Sequence, residues 1–351
     1  VLFPDEGITK QDLFEYYRAI APVLVPHLRN RPFTMKRSPY GVGGEAYFQK
    51  QAPKGMPSWI PTRTFRTYPR GRKGESRMVD FPLVNTPEAV LWMVQMNCID
   101  MNAWYSRVDK PDRPDFVLFD LDPPDGGFAL AIRVAHLIRE ELERLELASY
   151  VKTSGADGIH VLVPIARRAT FEHTYTFAER VAHGLEERHP GLVTTEWLKR
   201  KREGVLVDHR QNARGKTIAS VYSVRPKPGA PVSTPLRWEE VGESLDPAAF
   251  TMDEVRRRVA EHVGPLLAAI DRAPVAAAPC TTATPNCARC TPTRPASKPG
   301  TSEPRSETTT GVPRRSSSGS IAAVGSEKMK WTTSYRSAAI SRRTRGVAAR
   351  R

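Results

Sequence analysis

Two aspartates close an apolar run in Phe116-Val117-Leu118-Phe119-Asp120-Leu121-Asp122-Pro123-Pro124. A strand points residues two apart to one face, so Asp120 and Asp122 converge. Two ionised carboxylates held there repel each other and lose hydration, a cost that divalent cations with hard oxygen ligands offset. The plain alternative is a strand ending in a polar turn, with one Asp capping backbone amides, and the pair alone leaves the two readings even. Val205-Leu206-Val207-Asp208 adds a third acid at the end of another apolar strand. If adjacent strands bring Asp208 opposite the pair, three carboxylates can hold two metal ions roughly 3.5–4 Å apart for in-line phosphoryl displacement.

Between these acids lies Thr153-Ser154-Gly155-Ala156-Asp157-Gly158-Ile159-His160. Backbone amides of such a turn, the Ser154 hydroxyl and His160 can converge on a phosphate; equally, the segment reads as a common glycine hairpin with a structural histidine. After Asp208, His209-Arg210-Gln211-Asn212-Ala213-Arg214-Gly215-Lys216 and then Arg225 place cations beside the acid, where they can receive triphosphate oxygens. Further basic residues are Lys36, Arg37, Lys50, the group Arg63, Arg66, Arg70, Arg72, Lys73 and Arg77 along a loop, and the run Lys199 to Arg202. Charge runs usually mark a solvated face. Tyr47 and Phe48 among them form a possible base-stacking platform, or one of the two packs in the core.

The elements that must position these residues alternate. A helix is expected from Thr9 to about Asn30, opened by a Thr9/Asp12 capping box and interrupted or kinked at Pro22 and Pro26. Strand-like runs 33–37 and 46–50 follow as a hairpin, then a helix capped by Thr86-Pro87-Glu88. Strands over 115–121, 150–154, 159–163, 205–207 and 217–224 interleave with helices over 128–146, 171–188 and 252–270, which predicts a mixed α/β core. Residues 1–273 form the expected folded domain. Residues 274–351, rich in Pro, Ser, Thr and Arg, read as a disordered basic tail.

The tail holds 14 Lys+Arg against 3 Asp+Glu, so it supplies +11 of the net +15 and the body must be judged on local clusters. Four cysteines, Cys98, Cys280, Cys287 and Cys290, are too few and too clustered for a secreted disulfide framework, and the last three read as incidental. No run is long enough for a membrane span, and a cytoplasmic protein is expected.

Taken together, the order and spacing of Asp120-Leu121-Asp122, Ser154-Gly155 through His160, and Val-Leu-Val-Asp208 resemble the polymerase domain of bacterial ligase D. That domain is a branch of the archaeo-eukaryotic primase superfamily that serves non-homologous end joining, and the likeness covers roughly residues 1–270. It implies an α/β primase-type polymerase core, with mixed sheets, that adds NTPs or dNTPs to DNA ends and gaps with Mn²⁺ or Mg²⁺, two ions per site. Asp120, Asp122 and Asp208 would be the catalytic metal ligands. Ser154, His160, Gln211, Asn212, Lys216 and Arg225 would contact the nucleotide, and Tyr47, Phe48 and Lys36 the template base. Lys10 would grip the 5′-phosphate of gapped DNA. Ku and an ATP-dependent DNA ligase would be associates, with the protein near the nucleoid. The chain departs from the family pattern at Asp157, where relatives often carry Lys, at Asn102, where many have His, and at Tyr47, commonly Phe. Rival readings are a noncatalytic DNA-end-binding module and a metal-dependent nuclease.

Overall fold

The computed structural model describes residues 1–68 and 76–262. The expected tail, the three clustered cysteines, Arg70, Arg72 and Lys73 lie outside the described residues, as does the helix predicted beyond His262.

Two sheets organise the domain. The larger has the order β12-β7-β8-β6-β10-β9, built from β12 (Pro235–Leu236), β7 (Tyr150–Thr153), β8 (Ile159–Pro164), β6 (Phe116–Asp122), β10 (Val205–Asp208) and β9 (Val193–Thr194). All its pairings are antiparallel except β10 with β9. The smaller sheet runs β11-β5-β1-β2: β11 (Thr217–Ala219), β5 (Cys98–Trp104), β1 (Phe33–Arg37) and β2 (Tyr47–Gln49). The mixed α/β class and the β1–β2 hairpin match expectation.

The larger sheet is two-sided because β6 is. Val117, Phe119 and Leu121 are fully buried in the main core, which also takes in the apolar faces of α3 (Phe128–Arg144) and α4 (Phe171–Arg188). The opposite face carries Leu118, Asp120 and Asp122. One strand thus anchors the core and presents acids.

α1 (Lys10–Leu28) runs without a break through Pro22 and Pro26, against the expected interruption. Each proline leaves one carbonyl a turn earlier without its donor. Those carbonyls belong to Arg18 and Pro22, both exposed residues, so water can take the missing bonds, while Leu13, Tyr16, Tyr17, Ile20 and Leu24 bury the other face. The capping box of Thr9 with Asp12 is present.

The basic loop expected after residue 62 is instead an antiparallel ribbon, β3 (Thr62–Thr67) with β4 (Arg77–Pro82). Its apolar side survives as Phe65, Val79 and Phe81 packed with Trp104. Alternation in Thr62-Arg63-Thr64-Phe65-Arg66-Thr67 is the signal for a strand, which the density of charge obscures. The strand expected over 217–224 is also cut short: β11 ends at Ala219, and Tyr222 takes the left-handed conformation at φ 64°.

Candidate active site

Register brings the three acids together. Asp208 at the end of β10 lies directly opposite Asp120 on β6, and Asp122 follows two residues along the same face. On the other side of β6, His160 of β8 also lies opposite Asp120, and its Nε2 is 3.1 Å from Asp120 Oδ1. Burial opposes the charge of Asp120, but His160, together with Lys152 and Arg225, outweighs it and holds the carboxyl below the usual range. Asp122 shifts the other way: burial raises it first, then the charges of Asp120 and Asp208, against Arg202 at 3.6 Å.

Among the described residues no three His, Cys, Asp or Glu side chains converge tightly enough to form a finished metal cluster. Their carboxylates are turned to protein partners: Asp120 to His160, Asp122 toward Arg202, and Asp208 Oδ1 to the Arg210 amide at 3.0 Å. The donor set nevertheless suits a hard divalent cation, since three acids share one sheet face and Asp120 and Asp208 both work against the ionisation of Asp122.

The turn from β7 to β8 lies beside this site. The Ser154 hydroxyl accepts the amides of Ala156 and Gly158, each at 3.1 Å, and the Ser154 carbonyl accepts from Arg225. Ser154 therefore shapes the loop. Asp157 is exposed, with Lys227 Nζ 4.0 Å away.

Asp100, buried in β5, was not anticipated. Its Oδ2 lies 3.6 Å from Lys36 Nζ and 3.7 Å from Arg225 Nε, and burial raises its pKa although both cations lower it. It ties Lys36 of β1 to Arg225. An acid inside Cys98-Ile99-Asp100-Met101 is the only sequence signal for it. Asn102, two residues on, donates to the Asp100 carbonyl at 3.2 Å.

Tyr47 and Phe48 are 42% and 63% exposed, so neither packs in the core as one of them was expected to. Arg37 lies 5.6 Å from the Tyr47 ring centroid and Lys36 5.9 Å from that of Phe48, leaving two aromatic faces backed by cations at the open edge of the smaller sheet. Lys10, in the first turn of α1, donates to the Gln95 carbonyl at 2.6 Å; burial and then Arg37 lower its pKa. Lys216 sits just before β11, and Gln211 ends the single turn after Asp208.

Asn212 is not brought to the site. It is 1% exposed, and its amide is spent on the backbone: Oδ1 accepts from Leu118 N at 2.9 Å, while Nδ2 donates to the Leu118 and His209 carbonyls. Pairing of β10 to β6 ends at Asp120, and this side chain continues the ladder where the strand stops. Asn212→Ala would orphan both Leu118 groups, and a loss of about 2–4 kcal/mol is expected in denaturant unfolding.

Comparison with known proteins places this geometry among relatives. The model of the LigD primase-polymerase domain family matches residues 9–266. The chain is 35% identical over 281 residues to the multifunctional non-homologous end joining protein LigD of Mycolicibacterium smegmatis, covering 79% of this chain and 36% of that protein. It is 32% identical over 262 residues to the bifunctional non-homologous end joining protein LigD of Bacillus subtilis, covering 74% and 41%. The chain thus spans well under half the length of these relatives. Among solved structures, the polymerase domain of Mycobacterium tuberculosis ligase D in complex with DNA matches with a TM-score of 0.71 and 32% identity, covering 78% of this chain and 96% of that one.

Proposed function

Because the chain belongs to the LigD primase-polymerase family, a family of DNA-directed nucleotidyltransferases, we propose that it extends DNA strands at ends and gaps during end joining, using Asp120, Asp122 and Asp208 as its metal site. The observation that carries this reading is the direct pairing of Asp208 with Asp120 across β10 and β6, with Asp122 on the same face. Cations held there would favour the ionised 3′-hydroxyl and offset charge on the triphosphate.

The chain's own groups do the positioning. Arg225, which donates to the Ser154 carbonyl, together with the Ser154 turn, His160, Lys216 and Gln211 would contact the incoming nucleotide. Phosphoryl transfer asks little covalent work of these groups, so alignment and charge carry the rate. Tyr47 and Phe48 offer exposed rings to the templating base, with Lys36 between them and Asp100. Lys10 receives the downstream 5′-phosphate, and Ku and an ATP-dependent ligase act on the same ends near the nucleoid. Among the described residues no helix is long and apolar enough to cross a membrane.

The test is extension of a labelled primer on gapped, 5′-phosphorylated DNA with Mn²⁺ or Mg²⁺ and each NTP or dNTP, beside Asp120→Ala/Asp122→Ala. Metal-dependent extension lost in the double variant supports the polymerase. Tight DNA binding by the unaltered protein without extension under either metal would sink it in favour of an end-binding module. In the same assay Phe48→Ala should weaken template binding by about 1–3 kcal/mol, the cost of one lost base stack, with melting temperature unchanged because the ring is exposed.

A further inference from the structure

A cavity of about 550 Å³ lies between the end of α1, the start of β6 and strands β7, β8 and β11. Protein interiors hold few voids larger than a water molecule, and this one has the size of a small-molecule site, roughly 300–1,000 Å³. None of the metal, nucleotide, template or 5′-phosphate residues proposed above lines it. Its floor includes Phe116 of β6 with Leu162 and Pro164 of β8, on the face of the larger sheet that carries Asp120. Phe116 opens the strand that Asp120 and Asp122 close, roughly 13–20 Å away at the usual strand rise. Lys152 is the last lining residue of β7 toward the acids. Its Nζ donates to the Ala219 carbonyl at 3.1 Å and lies 2.6 Å from Ser233 Oγ, so it bridges the two sheets at that end of the cavity.

The lining joins apolar walls to an excess of cations. Phe116, Leu162 and Ile218 pack on one small apolar cluster yet stay half-buried, and a ligand ring would cover what they leave open. Against one acid, Asp115, stand Arg31, Arg107, Lys110, Arg167 and Arg168. The acid is already taken: its Oδ2 is 2.6 Å from an Arg31 terminal nitrogen and 3.1 Å from Arg107 Nε. Arg167 pairs with Asp109. Among the described residues the side chains of Lys110 and Arg168, and the terminal nitrogens of Arg107, have no hydrogen bond or ion pair. His27, at the α1 end, feels this field: burial and then the charges of Arg31 and Arg107 lower its pKa to about 4. Lys152 adds no comparable charge, since burial lowers its pKa strongly.

We propose that this cavity is a binding site for a small organic anion, a carboxylate or phosphate monoester carried on an aromatic or branched apolar body. The body lies against Phe116, Leu162 and Ile218, and the acidic group takes the open donors of Arg107, Lys110 and Arg168. An inorganic anion would leave the apolar walls uncovered, and a neutral apolar molecule would leave the cations unmatched. A nucleic-acid backbone has no apolar group to place there. The site is separate from strand extension and does not rest on that reading.

The test is isothermal titration of the full chain, free of metal, with naphthyl phosphate and with naphthoate. At least one should bind one-to-one with a Kd below about 1 mM, and the tighter of the two identifies the acidic group. Uncharged naphthol should bind about tenfold more weakly or worse. Lys110→Gln/Arg168→Gln removes two cations that hold no partner, so melting temperature should stay unchanged while affinity for the anion falls by about tenfold or more. Leu162→Trp fills the cavity and should abolish binding of all three compounds; if it does not fold, the double glutamine variant decides. Lys216→Gln, which removes a cation of the nucleotide site, should leave the affinity as it was. No saturable binding of either anion, or equal affinity for naphthol, would overturn the proposal. So would a loss of binding in Lys216→Gln but not in the double variant, which would put the anion in the nucleotide site, and so would displacement by duplex DNA, which would put the cations on DNA. The titration reads binding without metal, so its outcome is independent of whether the protein extends DNA.

Discussion

Asp208→Asn should reduce strand extension by on the order of 10³-fold or more while leaving the fold in place. The amide oxygen of Asn can still accept the Arg210 amide that Asp208 Oδ1 now holds at 3.0 Å, so the turn after β10 keeps its cap. β10 still pairs with β6 over Leu206, Val207 and residue 208, and the buried Val205, Leu206 and Val207 still anchor it. What goes is one negative charge facing Asp120. Primer extension under saturating Mn²⁺, read beside thermal melting, checks this. Activity within tenfold of the unaltered protein would remove Asp208 from the metal site.

The acids were legible in the sequence because chemistry and strand coincide there. An Asp at the end of an apolar run of β-branched and aromatic residues declares both its face and its depth, and pairing between β6 and β10 does the rest. Asp100 was not legible for the converse reason. β5 is buried at all seven positions and mixes Cys, Asp and Asn into its apolar residues, so no alternation marks its faces. Its acid acquires a role only from Lys36 and Arg225, which lie far from it in sequence and from each other.

Asn212 and the ribbon show two further limits. Asn212 was expected among the nucleotide contacts, yet its position is decided by where β10 stops, a property of two strands rather than of its neighbours. In β3 the arginines outnumber the apolar residues, and only the tertiary packing of Phe65 on Phe81 and Trp104 discloses the strand's inner side. Lys152 belongs with these. Its neighbours Val151 and Thr153 give no hint that a lysine can be buried at that place, because the groups that accept from it lie on β11 and beside β12.

Arg225→Met is the second change with a large expected effect, and its sign with pH is its signature. Arg225 links the Ser154 carbonyl to the neighbourhood of Asp100, whose remaining cation would be Lys36 at 3.6 Å. Removing one partner of a buried charge costs about 3–5 kcal/mol when the charge is left uncompensated; Lys36 keeps the expected loss near the lower end of that range. The Asp100 carboxyl, already raised by burial, would rise further without Arg225. An acid whose pKa is higher in the folded than in the unfolded state binds more protons when folded, so stability falls as pH rises through that interval and returns as pH is lowered. The stability deficit of Arg225→Met relative to the unaltered protein should therefore be largest near neutral pH and shrink as pH falls toward the ordinary carboxylate range. Denaturant unfolding of both proteins across that span measures it. A deficit independent of pH would mean that the arginine acts through the Ser154 turn alone, and that Asp100 is not the charge it serves.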